Sequence, residues 1–441
     1  MSTVLALDRK TLMDWYRQNR LRSRALFDSV RREAYGDRPI PLRNPICFYE
    51  GHLPAFSVNT LIKRGLKEPG IDAEYEILFE RGIDPEEEAA IGNHAMRWPS
   101  RDHILAYGDR ADRRMLEALE RREIEREDDP VLRGGLAVYT VLEHEPMHQE
   151  TLHYMWHRLA YEKKVRPAGS PDPVVGGDPP DEQMVPIPSG TATLGTTLAR
   201  VPFGWDNEFP EHRVDVPAFE IDVFDVTNRA FLEFLEAGGY RKRELWEKEG
   251  WDWVNRERIE HPLFWERQNG DWVWRGMFER ISLPMAWPVY VSHAEASAYA
   301  RWKGKRLPTE AEFHRAAFGT PEGRERSYPW GEEAPDEKRG NFDFRHWDPV
   351  PVGSFPAGSS AWGVQDLVGN GWEWTATVFA GFHGFAPMPS YPNYSADFFD
   401  GKHYVLKGAS PATASELLRR SFRNWFRGNY PYVYASFRCV R

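Results

Sequence analysis

The stretch Thr140 to Trp156, TVLEHEPMHQETLHYMW, decides how the first third of this 441-residue chain folds. It reads as one helix. Residues four apart on a helix share a face, so His144 and His148 project together and can hold one metal ion. The alternative is a pair of core histidines satisfied by hydrogen bonds. A lone histidine favours that reading. A pair at this spacing beside a partner site favours the metal.

Two motifs overlap on these residues. Taken literally, His144-Glu145-Pro146-Met147-His148 spells H-E-x-x-H, the zinc hydrolase helix, with Glu145 as general base. Pro146 argues against it, because proline inside a helix removes a backbone donor and crowds the preceding turn. The extended form of that motif also wants Gly at 151 and His at 154, where this chain has Thr151 and Tyr154. The second motif is H-x-x-x-H-x-E, ending on Glu150. That residue lies two positions after His148, about 200° round the helix. It therefore points away and cannot complete a two-histidine, one-carboxylate set. The third ligand must come from another helix. His52, within Phe48-Tyr49-Glu50-Gly51-His52-Leu53-Pro54, is the leading candidate, since an unpartnered ring among apolar residues is costly.

A chain of this length holds two domains or more, and 41% hydrophobic residues suffice for real cores. With 18 Trp, 18 Tyr and 25 Phe, it suits irregular loops pinned by rings and pockets that take cations or flat ligands. The net charge of −10 and the absence of a basic stripe argue against nucleic acid as a partner. No window approaches 18 uninterrupted apolar residues, so no membrane span is expected. The first residues carry no signal-peptide pattern. Only Cys47 and Cys439 are present, at opposite ends, so no disulfide framework is expected and a reducing cytoplasmic setting is the default.

Residues 1–165 read as mostly helical. Segments Leu7 to Ala34, Cys47 to Leu66, Arg101 to Arg121 with Ser100 as N-cap, and the histidine helix together predict an antiparallel four-helix bundle with a metal site between facing helices. Residues 166–183 (RPAGSPDPVVGGDPPDEQ) read as a linker. From 184 to 441 the texture is that of an α+β domain with much irregular structure. Helices are expected at Asn228 to Ala237, Ser292 to Lys303 and Thr309 to Ala317, the last with a Thr309/Glu312 capping box.

The second half carries Phe203-Gly204-Trp205-Asp206-Asn207-Glu208, Val226-Thr227-Asn228, RWKGKRLPTEAE from Arg301 to Glu312, Tyr328-Pro329-Trp330-Gly331, and Gly369-Asn370-Gly371-Trp372-Glu373-Trp374-Thr375, in that order. It resembles the formylglycine-generating-enzyme (sulfatase-modifying-factor) domain, a C-type-lectin-like fold, over 184–441. Leu406 to Asn424 lacks the reactive cysteines that formylglycine formation needs, so that activity is not expected. A bundle with H-x-x-x-H-x-E ahead of this domain resembles the nonheme-iron sulfoxide synthases of ergothioneine and ovothiol biosynthesis. The resemblance implies a DinB-like bundle, an Fe(II) cofactor on His52, His144 and His148, and hercynine and O2 as substrates beside a thiol donor.

The electron count fits this chemistry. Joining an imidazole C–H to a chalcogen removes two electrons, and oxidising the chalcogen removes two more, matching reduction of one O2. The resemblance assigns Asn424 and Trp425, in Phe422-Arg423-Asn424-Trp425, to the histidine-derived substrate. It makes Arg101, and more weakly Arg97, clamps for the donor's carboxylates. Three positions depart from the pattern. Phe382 stands where a catalytic tyrosine is usual, with Tyr391 or Tyr394 as possible substitutes. Phe426 stands where an aspartate holds the donor's amine, and Met147 where a glutamine faces the imidazole. The group that replaces the tyrosine is left unassigned. These losses imply a different donor, and the selenoneine synthase branch, which uses a selenosugar, is the favoured reading. A thiol-using ergothioneine-type synthase is the alternative. A zinc hydrolase and a noncatalytic binding protein rank below both.

Overall fold

Gly134 and Gly135, at φ 60° and 71°, turn the chain into the helix Leu136–Arg158, which contains the whole expected histidine helix. The left-handed region is open to glycine without a Cβ penalty. The computed structural model describes residues 8–80 and 98–441. They form two compact units, 1–168 with 388–392, and 169–387 with 393–441.

The first unit is helical. Its elements are α1 (Arg9–Asp28), α2 (Ile46–Ser57), α3 (Ala73–Leu78), α4 (Arg101–Arg121) and α5 (Leu136–Arg158). Helix α4 starts as expected, with the Ser100 hydroxyl accepting from the His103 N–H. Helix α2 continues without a break into a π-helical stretch, Val58–Gly65, closed by a 2.8 Å bond from the Leu66 N–H to the Leu61 carbonyl five residues back. Leu12, Tyr16, Phe56, Leu61, Met115, Val138 and Leu142 belong to one buried cluster shared by these helices. Arg20 ties three of them, reaching Asp112 on α4 at 2.8 Å and Glu145 on α5 at 2.9 Å.

Pro146 does not break α5. A proline leaves the carbonyl four residues earlier without its helical donor. That carbonyl belongs to Leu142, and the buried Asn19 side chain donates to it at 2.8 Å. Gln149 in turn donates to the Asn19 carbonyl at 2.9 Å and to Ser23 at 2.9 Å. The cost that Pro146 carries inside the expected helix is thus met by a partner 123 residues away.

The second unit mixes strands and helices. It contains β1 (Met184–Ile187), β2 (Gly190–Leu194), β3 (His212–Val216), β4 (Phe219–Asp222), α6 (Asn228–Glu236), α7 (Lys248–Glu257), β5 (Trp265–Gln268), β6 (Asp271–Arg275), β7 (Arg280–Ser282), α8 (His293–Trp302), α9 (Glu310–Phe318), β8 (Gly371–Val378), β9 (His403–Ala409), β10 (Asn424–Arg427) and β11 (Ala435–Ser436). The central sheet runs β10-β9-β8-β11, antiparallel except for the parallel β8/β11 edge. Both Ser292/Glu295 and Thr309/Glu312 form capping boxes. Beneath the sheet, Arg438 is fully buried and grips Glu373 of β8 at 2.6 Å and 2.8 Å.

Helix α7 was not expected from sequence. The stretch read as a linker makes contacts within the second unit. Ser170 accepts from Trp347 at 3.1 Å, the Val174 carbonyl accepts from Trp287 at 2.8 Å, and Glu182 pairs with Lys303 at 2.6 Å. Residues 169–183 are therefore held on the second unit by tryptophan donors, the buried Trp287 and the half-buried Trp347. Among the described residues, no helix is long and apolar enough to cross a membrane.

Candidate metal centre

Helix α2 presents His52, and α5 presents His144 and His148. Each offers one ring nitrogen, and the three lie within 4.8 Å of one another. The Nε2 atoms of His144 and His148 are 3.1 Å apart. Two nitrogens each about 2.1 Å from one ion, at right angles, are separated by about 3.0 Å.

The tautomer of His52 is fixed. Its Nδ1 lies 2.8 Å from the Phe79 carbonyl, which can only accept, so Nδ1 carries the proton and Nε2 is bare. That Nε2 is buried and has no hydrogen-bond partner among the described residues. Burial pushes His52 down to about 4, against the upward pull of the Phe79 bond. Burial, then the neighbouring rings, holds His144 well below the ordinary imidazole value. His148 is lowered likewise by burial, His52 and Arg43. Three neutral imidazoles with converging nitrogens could hold a metal ion, and their neutrality is what a metal requires.

The walls are aromatic. Phe48 stacks on His52 at 5.2 Å between centroids, Phe56 on His144 at 3.5 Å and 7°, and Tyr49 lies 5.8 Å from His148. Tyr391 belongs to the same unit, 5.2 Å from Phe56 and 6.2 Å from His144. Its neighbour Ser390 is buried and bonds the Thr140 hydroxyl at 2.7 Å, one turn before His144.

Neither carboxylate of the two motifs joins the cluster. Glu145 is buried against Arg20 at 2.9 Å and Ser23 at 2.6 Å, which leaves it no general-base role at the histidines. That placement gives a second argument against the H-E-x-x-H reading, beside Pro146. Glu150 is buried elsewhere on α5. Met147 is half-buried on the same helix. Arg101 is engaged by Glu50 at 2.9 Å and 3.0 Å and by Asp28 at 2.7 Å, with its guanidinium over Tyr35. Arg97 lies outside the described residues.

In the second unit, Trp425 of β10 stacks on Phe379 at 4.2 Å and 6°, with Tyr394 at 5.2 Å and Phe398 at 5.6 Å. Asn424 accepts from the Trp425 N–H at 2.9 Å. Phe426 stacks on Tyr430 at 5.3 Å. Phe382 lies 4.2 Å beneath the guanidinium of Arg423, whose charge is met by Glu310 at 3.0 Å. Sequence reasoning missed Arg423, Phe79 and Asn19, all of which act through contacts far along the chain.

Residues 173–441 match the model of the sulfatase-modifying factor enzyme 1-like domain. The chain is 41% identical over 250 residues to a hercynine oxygenase of Mycobacterium tuberculosis, covering 56% of this chain and 57% of the relative. It is 37% identical over 305 residues to a hercynine oxygenase of Mycolicibacterium smegmatis, covering 68% and 69%. It is 29% identical to ergothioneine biosynthesis protein 1 of Neurospora crassa, over 92% of this chain and 54% of the relative. The chain thus spans little more than half the length of the first and third of these relatives. By the domain match and the mycolicibacterial likeness together, the chain belongs to the sulfatase-modifying factor enzyme 1-like family and, within it, to the ergothioneine-type synthases.

Proposed function

We propose that this chain is an iron-dependent enzyme that uses O2 to join imidazole C2 of hercynine to a chalcogen donor and oxidise the chalcogen. The observation that carries the reading is the trio His52, His144 and His148, two buried and the third half-buried, with neutral rings and, among the described residues, no carboxylate in the cluster. Three imidazoles suit Fe(II) and leave positions for other ligands. An iron ion there would activate O2 beside the donor. The stoichiometry closes: donor S–H, imidazole C–H and O2 give the C–S bond, one S=O and one water.

The protein's own groups supply the rest. The aromatic faces round Trp425 suit the trimethylammonium of a betaine, with Asn424 beside them. Phe382 has no proton to give. Tyr391 is the proposed donor, supported by its ring 6.2 Å from His144 within the histidine unit. Tyr394 instead stacks on Trp205 at 4.0 Å.

A thiol such as a γ-glutamylcysteine-like peptide is the leading donor, supported by the names of the relatives. A selenosugar is the second reading, favoured by Phe426. That ring is stacked on Tyr430 where a carboxylate would hold an α-amine. A selenosugar has no such amine. Arg101, held by Glu50 and Asp28, is proposed as a donor clamp only through rearrangement of those pairs.

The test is anaerobic Fe(II) loading followed by mass spectrometry of hercynine, O2 and each donor in parallel. A sulfur adduct supports the leading donor, and a selenium adduct alone supports the second. Absence of both adducts from an iron-loaded chain overturns the proposal. His52→Ala is expected to abolish iron loading. Retained iron would refute the ligand set.

A further inference from the structure

The geometry points to Gly51 and Phe79 as a positioning pair that sets the tautomer and direction of the His52 ring. The inference rests on His52 being a metal ligand. A Cβ added at Gly51 would come within 2.5–2.6 Å of Phe79 Cζ, Cε1 and Cε2. The Phe79 ring therefore lies flat on the backbone of α2, in space that any other residue at 51 would fill. Gly51 sits inside a helix, where glycine costs about 1 kcal/mol relative to alanine. It has no positive φ to justify it. Close approach is the reason that remains.

The ring has no freedom to shift. It is fully buried, stacked on Trp98 at 6.0 Å, with Tyr75 at 5.8 Å and Phe48 at 6.1 Å. Its backbone is held as well. The Phe79 N–H donates to the Tyr75 carbonyl at 3.0 Å, closing the end of α3. The start of α3 is pinned by the Glu76 carboxylate, which accepts from the Asp72 N–H at 3.0 Å and pairs with Lys63 of the π-helical stretch at 3.1 Å. A second bond from Asn59 reaches the Glu76 carbonyl at 3.0 Å. With both ends of α3 fixed, the Phe79 carbonyl stays 2.8 Å from His52 Nδ1. Phe48 limits the ring plane from the other side. A bond of this kind on a ligand's distal nitrogen raises its basicity and orients it, and its loss costs about 10–100-fold in metal affinity.

The variants are Gly51→Ala, Phe79→Leu and the double. Fe(II) affinity is measured by chelator competition, folding by thermal melting, and the His52 tautomer by ¹⁵N spectra of the metal-free, histidine-labelled chain. Gly51→Ala is expected to weaken Fe(II) binding about 10–100-fold and to mix the tautomers. In the Phe79→Leu background, where the ring is already gone, adding Gly51→Ala should change affinity less than about twofold, because coupled sites are not additive. Wild-type affinity with a pure Nδ1–H tautomer in Gly51→Ala overturns the inference, as does an equal loss in both backgrounds. If Gly51→Ala does not fold, Phe79→Leu carries the test, since it demands no room at 51. Wild-type tautomer and affinity there would also overturn the pair. A wild-type chain that takes up no iron would sink the metal reading, and the tautomer spectra would still decide the role of Gly51 and Phe79.

Discussion

His144 and Glu145 are neighbours in sequence, and the helix turns them to unrelated partners. One faces two other imidazoles. The other faces Arg20 and Ser23. Glu145→Gln is therefore expected to keep iron loading, measured by metal analysis, and to lose about 1–3 kcal/mol of stability through the weakened buried pair. Loss of iron with stability intact would return the hydrolase reading. Tyr391→Phe keeps the ring contacts with Phe56 and His144 and removes only the hydroxyl. Turnover should fall about 10²-fold or more if that hydroxyl delivers a proton, while iron content and melting temperature hold. Unchanged turnover would clear Tyr391 of that role. The acid response follows from His52, held at about 4 against an ordinary 6.5. As pH drops below 6.5 the unfolded chain takes up the proton first. The stability tied to the neutral ring is thus full above 6.5 and lost progressively toward 4, about 3 kcal/mol in all for this group. Melting of the metal-free chain across that window should show the decline, and a flat profile would mean that His52 titrates freely. At this scale the sequence displayed the three histidines, because helical spacing and an apolar setting are local signals. It could not display the Phe79 carbonyl, since a backbone atom has no side-chain signature.

Helix α5 runs through a proline because α1 lends it a donor. Asn19→Ala should leave the buried Leu142 carbonyl unsatisfied, at about 1–3 kcal/mol, while the Gln149 bonds to the residue-19 carbonyl and to Ser23 stay in place. Urea titration would register this, and an unaltered midpoint would show that α5 tolerates Pro146 unaided. Other elements were legible in advance for simple reasons. Ser100, Ser292 and Thr309 each cap the helix expected of them, because a hydroxyl before a periodic stretch satisfies an orphan N–H. Helix α7 was hidden. It has no side-chain N-cap, and its packing face includes Gly250, which approaches Ala294 so closely that an added Cβ would sit 3.1 Å from it. A pattern search counts glycine as a breaker, yet here it is a contact surface.

Across the whole molecule, the order of helical and mixed regions was readable from texture alone. Composition marked 166–183 as a linker but could not show that Trp287 and Trp347 donate to its Val174 carbonyl and Ser170 hydroxyl. Nor does any local pattern reveal that residues 388–392, late in the sequence, pack as part of the helical unit. Their anchors are the Ser390–Thr140 hydroxyl bond and a bond from Arg64 to the Ser390 carbonyl. Residues 1–168 produced alone should melt below the helical unit of the full chain, by calorimetry. Equal melting would show that the five-residue segment contributes nothing.

That segment also bears on how such a chain can change over generations. A genetic crossover at the linker would appear to exchange two finished parts. It would instead hand the recipient a bundle whose Ser390 and Tyr391 remained with the donor. Both parts are therefore expected to be inherited as one.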